Sequence, residues 1–244
     1  MDARLPVRAF FTDRHGGVGE APYDTLNLAE HVGDSDSVVD LNRGVVEELA
    51  GGPVVFLRPE HGAKVARLDE SYLDGLHEPP VADVLLTTVK GLSLATLAAD
   101  CVPLLAHDAA SGAVLVAHIG REGLRKGAVD AAVAAIVDLR RGWARPQAVT
   151  FSLGPAICGK CYEVSSEVRA EVAQRHPLAF STTGWNTPAL DLPRAVAGRL
   201  AELGFDRVVR HRYCTFEERR LFSYRREHVT GRQSGVVTCE GAAE

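Results

Sequence analysis

Lysine supplies only four of the chain's 27 basic residues, aromatics make up 6% of it, and methionine occurs once. With so few rings, a core has to be assembled from Val, Ala and Leu. Long apolar runs are missing too. Those around Leu92–Ala99 and Ala113–Ala117 fall far short of a bilayer's thickness, so no membrane partner is expected. The opening residues Met1-Asp2-Ala3-Arg4-Leu5-Pro6 lack the apolar stretch of a secretion signal. Five cysteines, at 101, 158, 161, 214 and 239, close no even disulfide framework, and reduced thiols in the cytoplasm are the expectation. Neither a Walker loop nor a dinucleotide-type glycine fingerprint occurs, which argues against the usual nucleotide-binding folds. A net charge of −5 argues against a nucleic-acid partner.

What remains is a chain of 244 residues, 46% hydrophobic and 24% charged, with no low-complexity linker and no repeat. That length suffices for a sizeable core. Its basic charge is mostly arginine, the side chain suited to bidentate contact with phosphate or carboxylate.

The front of the chain is rich in Gly, Asp, Asn and Pro, with consecutive turns at His15-Gly16-Gly17-Val18-Gly19 and Ala21-Pro22-Tyr23. A helix is predicted after Asp36, with Ser37 and Asp40 as a capping box and Val38, Leu41, Val45 and Leu49 as its apolar stripe. Gly51-Gly52-Pro53 ends it. Strands are predicted at Val54–Leu57, Asp83–Thr88, Leu92–Ala98, Ala113–Ala117 and Phe151–Leu153. Further helices are predicted at Gly123–Leu139, Val164–His176 and Asp191–Leu203, the last capped by Asp191 and stopped at Gly204. This irregular alternation predicts a mixed α/β (α+β) fold.

Three strand ends carry metal-type donors. His61 follows Val54–Leu57, Cys101 follows Leu92–Ala98, and His118 follows Ala113–Ala117. Zinc takes imidazole and thiolate together, and a catalytic site commonly keeps three protein ligands with one position open. Singly, each is more simply a buried thiol or a core histidine; the shared placement is what singles them out. Cys158-Gly159-Lys160-Cys161 lacks a second Cys-x-x-Cys to complete a structural zinc site and is read as incidental. Arginines in loop-like settings, among them Arg14, Arg43, Arg121, Arg225, Arg226 and Arg232, are candidates for holding an anion. The segment Gly231–Gly235 offers backbone donors as well.

Taken in order, Thr12–Val18, Tyr23–Leu28, His31–Asp34, Asn42-Arg43, His61–Val65, Ala82-Asp83, Ala99–Pro103 and Ala117–Gly120 resemble the YfiH, or laccase-domain ("polyphenol oxidase"), family. The resemblance continues through Gly154–Ile157, Cys161–Val164, Asp191-Leu192, Cys214-Thr215, Phe222–Arg226 and Thr230–Gln233, nearly the whole chain in family order. It implies a single domain over residues 1–244, with layered sheets flanked by helices. It implies a catalytic metal, zinc, held by His61, Cys101 and His118. The implied activity is phosphorolysis of adenosine, inosine, guanosine and S-methyl-5'-thioadenosine, with adenosine deamination alongside; copper and phenol oxidation are older attributions. Purine nucleosides and phosphate are thus the implied partners. The sequence sets no oligomeric state, and a monomer agrees with it.

In phosphorolysis an anionic phosphate attacks the ribose anomeric carbon as the purine leaves, so groups that position phosphate are required. Arg14, Asn27, Arg43, Arg121 and Arg232 are the expected substrate-holding residues. Two departures from the family pattern stand out. Trp-Arg usually follows the His-x-Gly segment, where this chain has Arg121-Glu122, and Cys158 stands where glycine is usual. Other readings stay open. Cys101 as thiolate with His118 as base would make a metal-free hydrolase or deamidase. An inactive regulatory member is a third reading, and a copper-dependent polyphenol oxidase ranks last, because one mononuclear ligand set is too few.

Overall fold

The computed structural model describes residues 1–75, 77–139 and 146–242. In chain order its first half contains β1 (Ala9–Phe11), α1 (Asp36–Ala50), β2 (Val54–Phe56), β3 (Val65–Leu68), β4 (Val84–Thr87) and β5 (Ser93–Ala98). There follow β6 (Val102–Asp108), β7 (Val114–Ile119), α2 (Arg121–Lys126), α3 (Ala128–Leu139), β8 (Val149–Leu153) and α4 (Ser166–Arg175). The chain continues through β9 (Phe180–Thr182), β10 (Pro188–Leu190), α5 (Leu192–Glu202), β11 (Val208–Arg210), α6 (Tyr224–Glu227) and β12 (Gln233–Thr238).

Two sheets carry the architecture, one in the order β1-β12-β5-β2 and one in the order β11-β8-β6-β7-β4-β3. Side chains alternate across a strand, so each sheet has two faces to cover. Leu85, Leu105, Val114 and Val116 leave one face of the larger sheet and meet Phe11, Leu94 and Val237 of the smaller one. Val84, Leu86, Leu104, Leu115 and Ala117 leave its other face and pack on Leu124, Ala128, Ala132, Ile136, Val196 and Leu200 of α2, α3 and α5. Ala95, Leu97 and Val236 on the outside of the smaller sheet are covered by Val46, Ala50, Leu26 and Leu28. The layers therefore run helix, sheet, sheet, helix. This is the mixed α/β fold with layered sheets and flanking helices that the sequence predicts. No helix among the described residues is long and apolar enough to cross a membrane.

The first helix differs from expectation in its face and its cap. It buries Val39, Asn42, Val46 and Ala50, while Leu41 and Leu49 are exposed. The polar Asn42 decides the rotation. Its amide donates to the carbonyls of Thr25 and Asn27, and its oxygen accepts from Val18 N, tying down the front loop. The N-cap is Ser35 rather than the Ser37–Asp40 pair. The single helix expected over 123–139 is two helices, since Gly127 adopts a left-handed φ of 88° that ends α2. The α5 boundaries agree with prediction, Asp191 capping through Arg194 N. Strand β6 was not predicted. Its Pro103 argues against a central strand, yet it lies at the second residue, and the strand is buried throughout.

The two sheets are joined where the chain crosses between them at one end. β2 and β5 run parallel in the smaller sheet, and the chain leaves each of them to enter the larger sheet, at β3 and β6. Parallel neighbours deliver their exits to the same edge, so the loops that carry His61 and Cys101 come out together. Leu105 sits fully buried in the seam between sheets, hard against Gly235. Leu105→Ala is expected to cost about 2–5 kcal/mol in denaturant unfolding, without moving the cavity-lining residues described below.

Candidate metal centre

His61 is held in an unusual backbone state, with φ of 55°. The cause is Asp83, a fully buried carboxylate that accepts Glu60 N at 3.2 Å and Gly62 N at 2.9 Å and so clamps both sides of His61. The Asp83 carbonyl accepts His118 N at 2.8 Å, which ties this loop to β7. Cys101 is presented by a second clamp. Asp100, with φ of 94°, turns the chain from β5 toward β6, and its carboxylate accepts Thr215 Oγ1, Ser223 Oγ and Arg225 N at 2.6, 2.7 and 2.7 Å. His118 lies on β7 opposite Pro103 of β6.

These three side chains converge. Cys101 Sγ is 4.0 Å from His61 Nε2, the two imidazoles meet edge to face at 4.9 Å, and all three donor atoms fit within 4.8 Å of one another. His118 is 4% exposed and donates from Nδ1 to the Leu97 carbonyl at 2.7 Å, which leaves Nε2 as the lone-pair atom. That Nε2 is buried without a hydrogen-bond partner. A histidine oriented by a carbonyl on one nitrogen with a bare lone pair on the other is the usual form of a metal ligand. Burial, with His61 nearby, pushes the His118 pKa down to about 3, so the ring is neutral and free to donate. Burial and the adjacent Asp100 charge push the Cys101 thiol up to about 12. Gly120 keeps the cradle open, since a Cβ there would lie 2.8 Å from Cys101 Sγ and 3.0 Å from His61 Cδ2. Two imidazoles, a thiol, an orphaned buried nitrogen and a reserved space fit a borderline cation such as zinc.

The donors open on a cavity of about 510 Å³, lined also by His31, Tyr162, Tyr224, Arg225 and Arg232. Of the arginines expected to hold substrate, only Arg232 lines it. Arg14 is committed to Asp24 and Glu227, at 3.2 and 2.9 Å, and lies over Phe222. Arg43 pairs with Glu30 beside Phe56 and lines a separate cleft. Arg121 opens α2, pairs with Glu122 at 3.1 Å and is not part of the lining. Asn27 stands behind the wall, its Oδ1 accepting Arg232 N at 2.9 Å. The amides of Arg232 and Ser234 are used by Asn27 and Thr12, and Gln233 onward is strand, so the Gly231–Gly235 segment is no anion nest. Arg225, one of the arginine candidates for an anion, also lines the cavity, whereas Tyr162, Tyr224 and His31 carry no sequence signal beyond the family motifs. The signal for Tyr224 and Arg225 lies in Phe222-Ser223-Tyr224-Arg225, whose Ser223 hydroxyl and Arg225 amide donate to Asp100.

Sandwich and pocket together define a layered α/β protein with a three-donor candidate metal site at the sheet crossings. The chain belongs to the multi-copper polyphenol oxidoreductase laccase family, whose model matches residues 8–240. It is 44% identical over 230 residues to a purine nucleoside phosphorylase of Streptomyces coelicolor, covering 93% of each chain. To the Escherichia coli purine nucleoside phosphorylase YfiH it is 33% identical, covering 95% of this chain and 93% of that one. Among solved structures, a Neisseria meningitidis protein superposes with a TM-score of 0.86 at 32% identity, covering 99% of this chain and 97% of that one. YlmD from Geobacillus stearothermophilus gives 0.85 at 29%, covering 98% and 94%.

Gly120 has φ of −87°, which alanine accepts, so Gly120→Ala isolates the effect of space. It is expected to leave the circular dichroism spectrum intact and to weaken zinc affinity roughly 10- to 100-fold by competition with a chelator. A second expectation concerns pH in the metal-free protein. Below the ordinary imidazole value of 6.5 the unfolded chain takes a proton at His118 that the folded chain refuses until about 3. Stability conferred above 6.5 is therefore lost as pH falls through that window, by about 2 kcal/mol between pH 6.5 and 5. Denaturant midpoints in chelator should fall accordingly, and His118→Phe should make the slope shallower by that amount, with His31, His107, His176 and His211 supplying the remainder.

Proposed function

We propose that this chain is a zinc-dependent purine nucleoside phosphorylase acting on adenosine, inosine, guanosine and S-methyl-5'-thioadenosine, with adenosine deamination as a side activity. We also take residues 1–244 as one catalytic domain of the cytoplasm. The observation that carries this reading is the orphaned Nε2 of His118, gathered with Cys101 and His61 beside a cavity that also presents arginines and tyrosines. The names of the curated relatives supply the reaction class.

His61, Cys101 and His118 would hold the ion, which when bound supplies Lewis-acid stabilisation of developing charge. The remaining roles belong to the chain's own groups. A cavity of about 510 Å³ has the size of a small-molecule site. The rings of Tyr162 and Tyr224 offer apolar faces to a purine. Arg225 stacks over Tyr162, and Arg232 faces Tyr224, so both guanidinium groups are braced where they can hold phosphate by charge-assisted bonds. Burial pushes the Tyr162 phenol up, which keeps it protonated as a hydrogen-bond donor. With Arg121 paired to Glu122, these two arginines take the anion-holding role in place of a residue beside His118.

The metal-free Cys101 nucleophile has less support. A thiol pushed up to about 12 is almost wholly protonated at neutral pH, whereas a coordinating thiol is deprotonated outright. Copper-dependent phenol oxidation is supported by the family's name alone.

Metal-replete protein incubated with adenosine and phosphate should release adenine and ribose 1-phosphate, and inosine if deamination runs alongside. Arg232→Ala should raise the KM for phosphate by roughly 10- to 100-fold, the worth of one charged hydrogen bond. If neither adenine nor inosine forms, the proposal fails.

A further inference from the structure

A second group of soft donors lies outside the cavity. Cys158 and Cys161 stand three residues apart, and so do Cys214 and Glu217. The two turns share one hydrogen-bond pattern. Cys161 N and Tyr162 N both donate to the Cys158 carbonyl at 3.0 Å, while Glu217 N and Glu218 N donate to the Cys214 carbonyl at 3.2 and 2.9 Å. A parallel bridge between Ala156 and Cys214 sets the turns side by side. The sequence motif thus finds its missing partner in a turn ending in a carboxylate rather than a second Cys-x-x-Cys.

All four donor atoms lie within 4.8 Å of one another, with Cys161 Sγ 3.5 Å from Glu217 Oε1. Zinc–thiolate bonds of about 2.3 Å place tetrahedral sulfurs about 3.8 Å apart, so a contraction of about 1 Å completes the site. The Cys158 amide points at Cys214 Sγ at 3.4 Å, the kind of backbone donor that stabilises a ligating thiolate. Cys161 and Cys214 are each 5% exposed, Cys158 is half-buried and Glu217 faces solvent, which gives an ion a route in.

We propose that Cys158, Cys161, Cys214 and Glu217 form a second metal site, structural rather than catalytic, that takes zinc. Three thiolates select a thiophilic cation over magnesium or calcium, and four protein ligands leave no open position for chemistry. Binding releases the thiol protons to solvent. The site braces the catalytic wall: Ile157 and Tyr162, which flank the first turn, line the cavity, and Thr215, next to Cys214, holds Asp100.

Chelator-stripped protein is titrated with zinc, and with cobalt as a spectroscopic stand-in. The wild-type chain should take up about two equivalents, and Cys101→Ser and Cys158→Ser about one each. In Cys101→Ser the remaining cobalt should show strong sulfur-to-metal charge transfer, and zinc should still raise the melting temperature. Wild-type protein provides a readout independent of any variant, because zinc should shield Cys158 from alkylation. Cobalt without charge transfer in Cys101→Ser, equal alkylation of Cys158 with and without zinc, or a disulfide among the three cysteines in reduced buffer would overturn the proposal.

Discussion

Asp83 and Asp100 are buried carboxylates that hold the two loops by which the chain passes from the smaller sheet into the larger one. Among the described residues, neither accepts a hydrogen bond from a cationic side chain. Instead they are satisfied by backbone amides and hydroxyls, which is how a buried charge becomes tolerable. Each fixes a loop whose backbone is in the left-handed region, His61 in one case and Asp100 itself in the other. Without these clamps neither loop has reason to hold so sparsely populated a conformation. The donor triad depends on them more than on any contact among its own members.

Much of this was legible in the sequence, and the limits have physical causes. Strand ends are visible because apolar runs stop abruptly at polar residues, and that pattern alone singles out His61, Cys101 and His118. Their convergence was not visible, because it follows from β2 and β5 being parallel neighbours, a long-range pairing that no local pattern encodes. The face of α1 was misjudged for a related reason. Hydrophobicity favoured Leu41 and Leu49, whereas the fold needs Asn42 inside as a hydrogen-bond hub for the front loop. The arginines show the same limit. Residue type and motif favour Arg14 and Arg43 over Arg232, and only their neighbours distinguish a structural ion pair from a cavity wall.

The cavity is a meeting point of separate chain segments. Arg232 reaches it just before β12 because Asn27 holds its amide, and Arg225 reaches it because Asp100 holds its own. Asp100 therefore serves both the thiol side and the cationic side of the pocket, through groups 115 to 125 residues further along the chain than itself. The cysteine-rich turns reinforce the same wall from behind, through Thr215 and Tyr162.

The bond from His118 Nδ1 to the Leu97 carbonyl runs from the larger sheet to the smaller one. The aim of that imidazole is therefore set by the gap between layers. Swelling of the sandwich on warming would swing the ring before either sheet comes apart. Inactivation should then precede melting, and the pocket serves as a gauge of how tightly the layers are stacked.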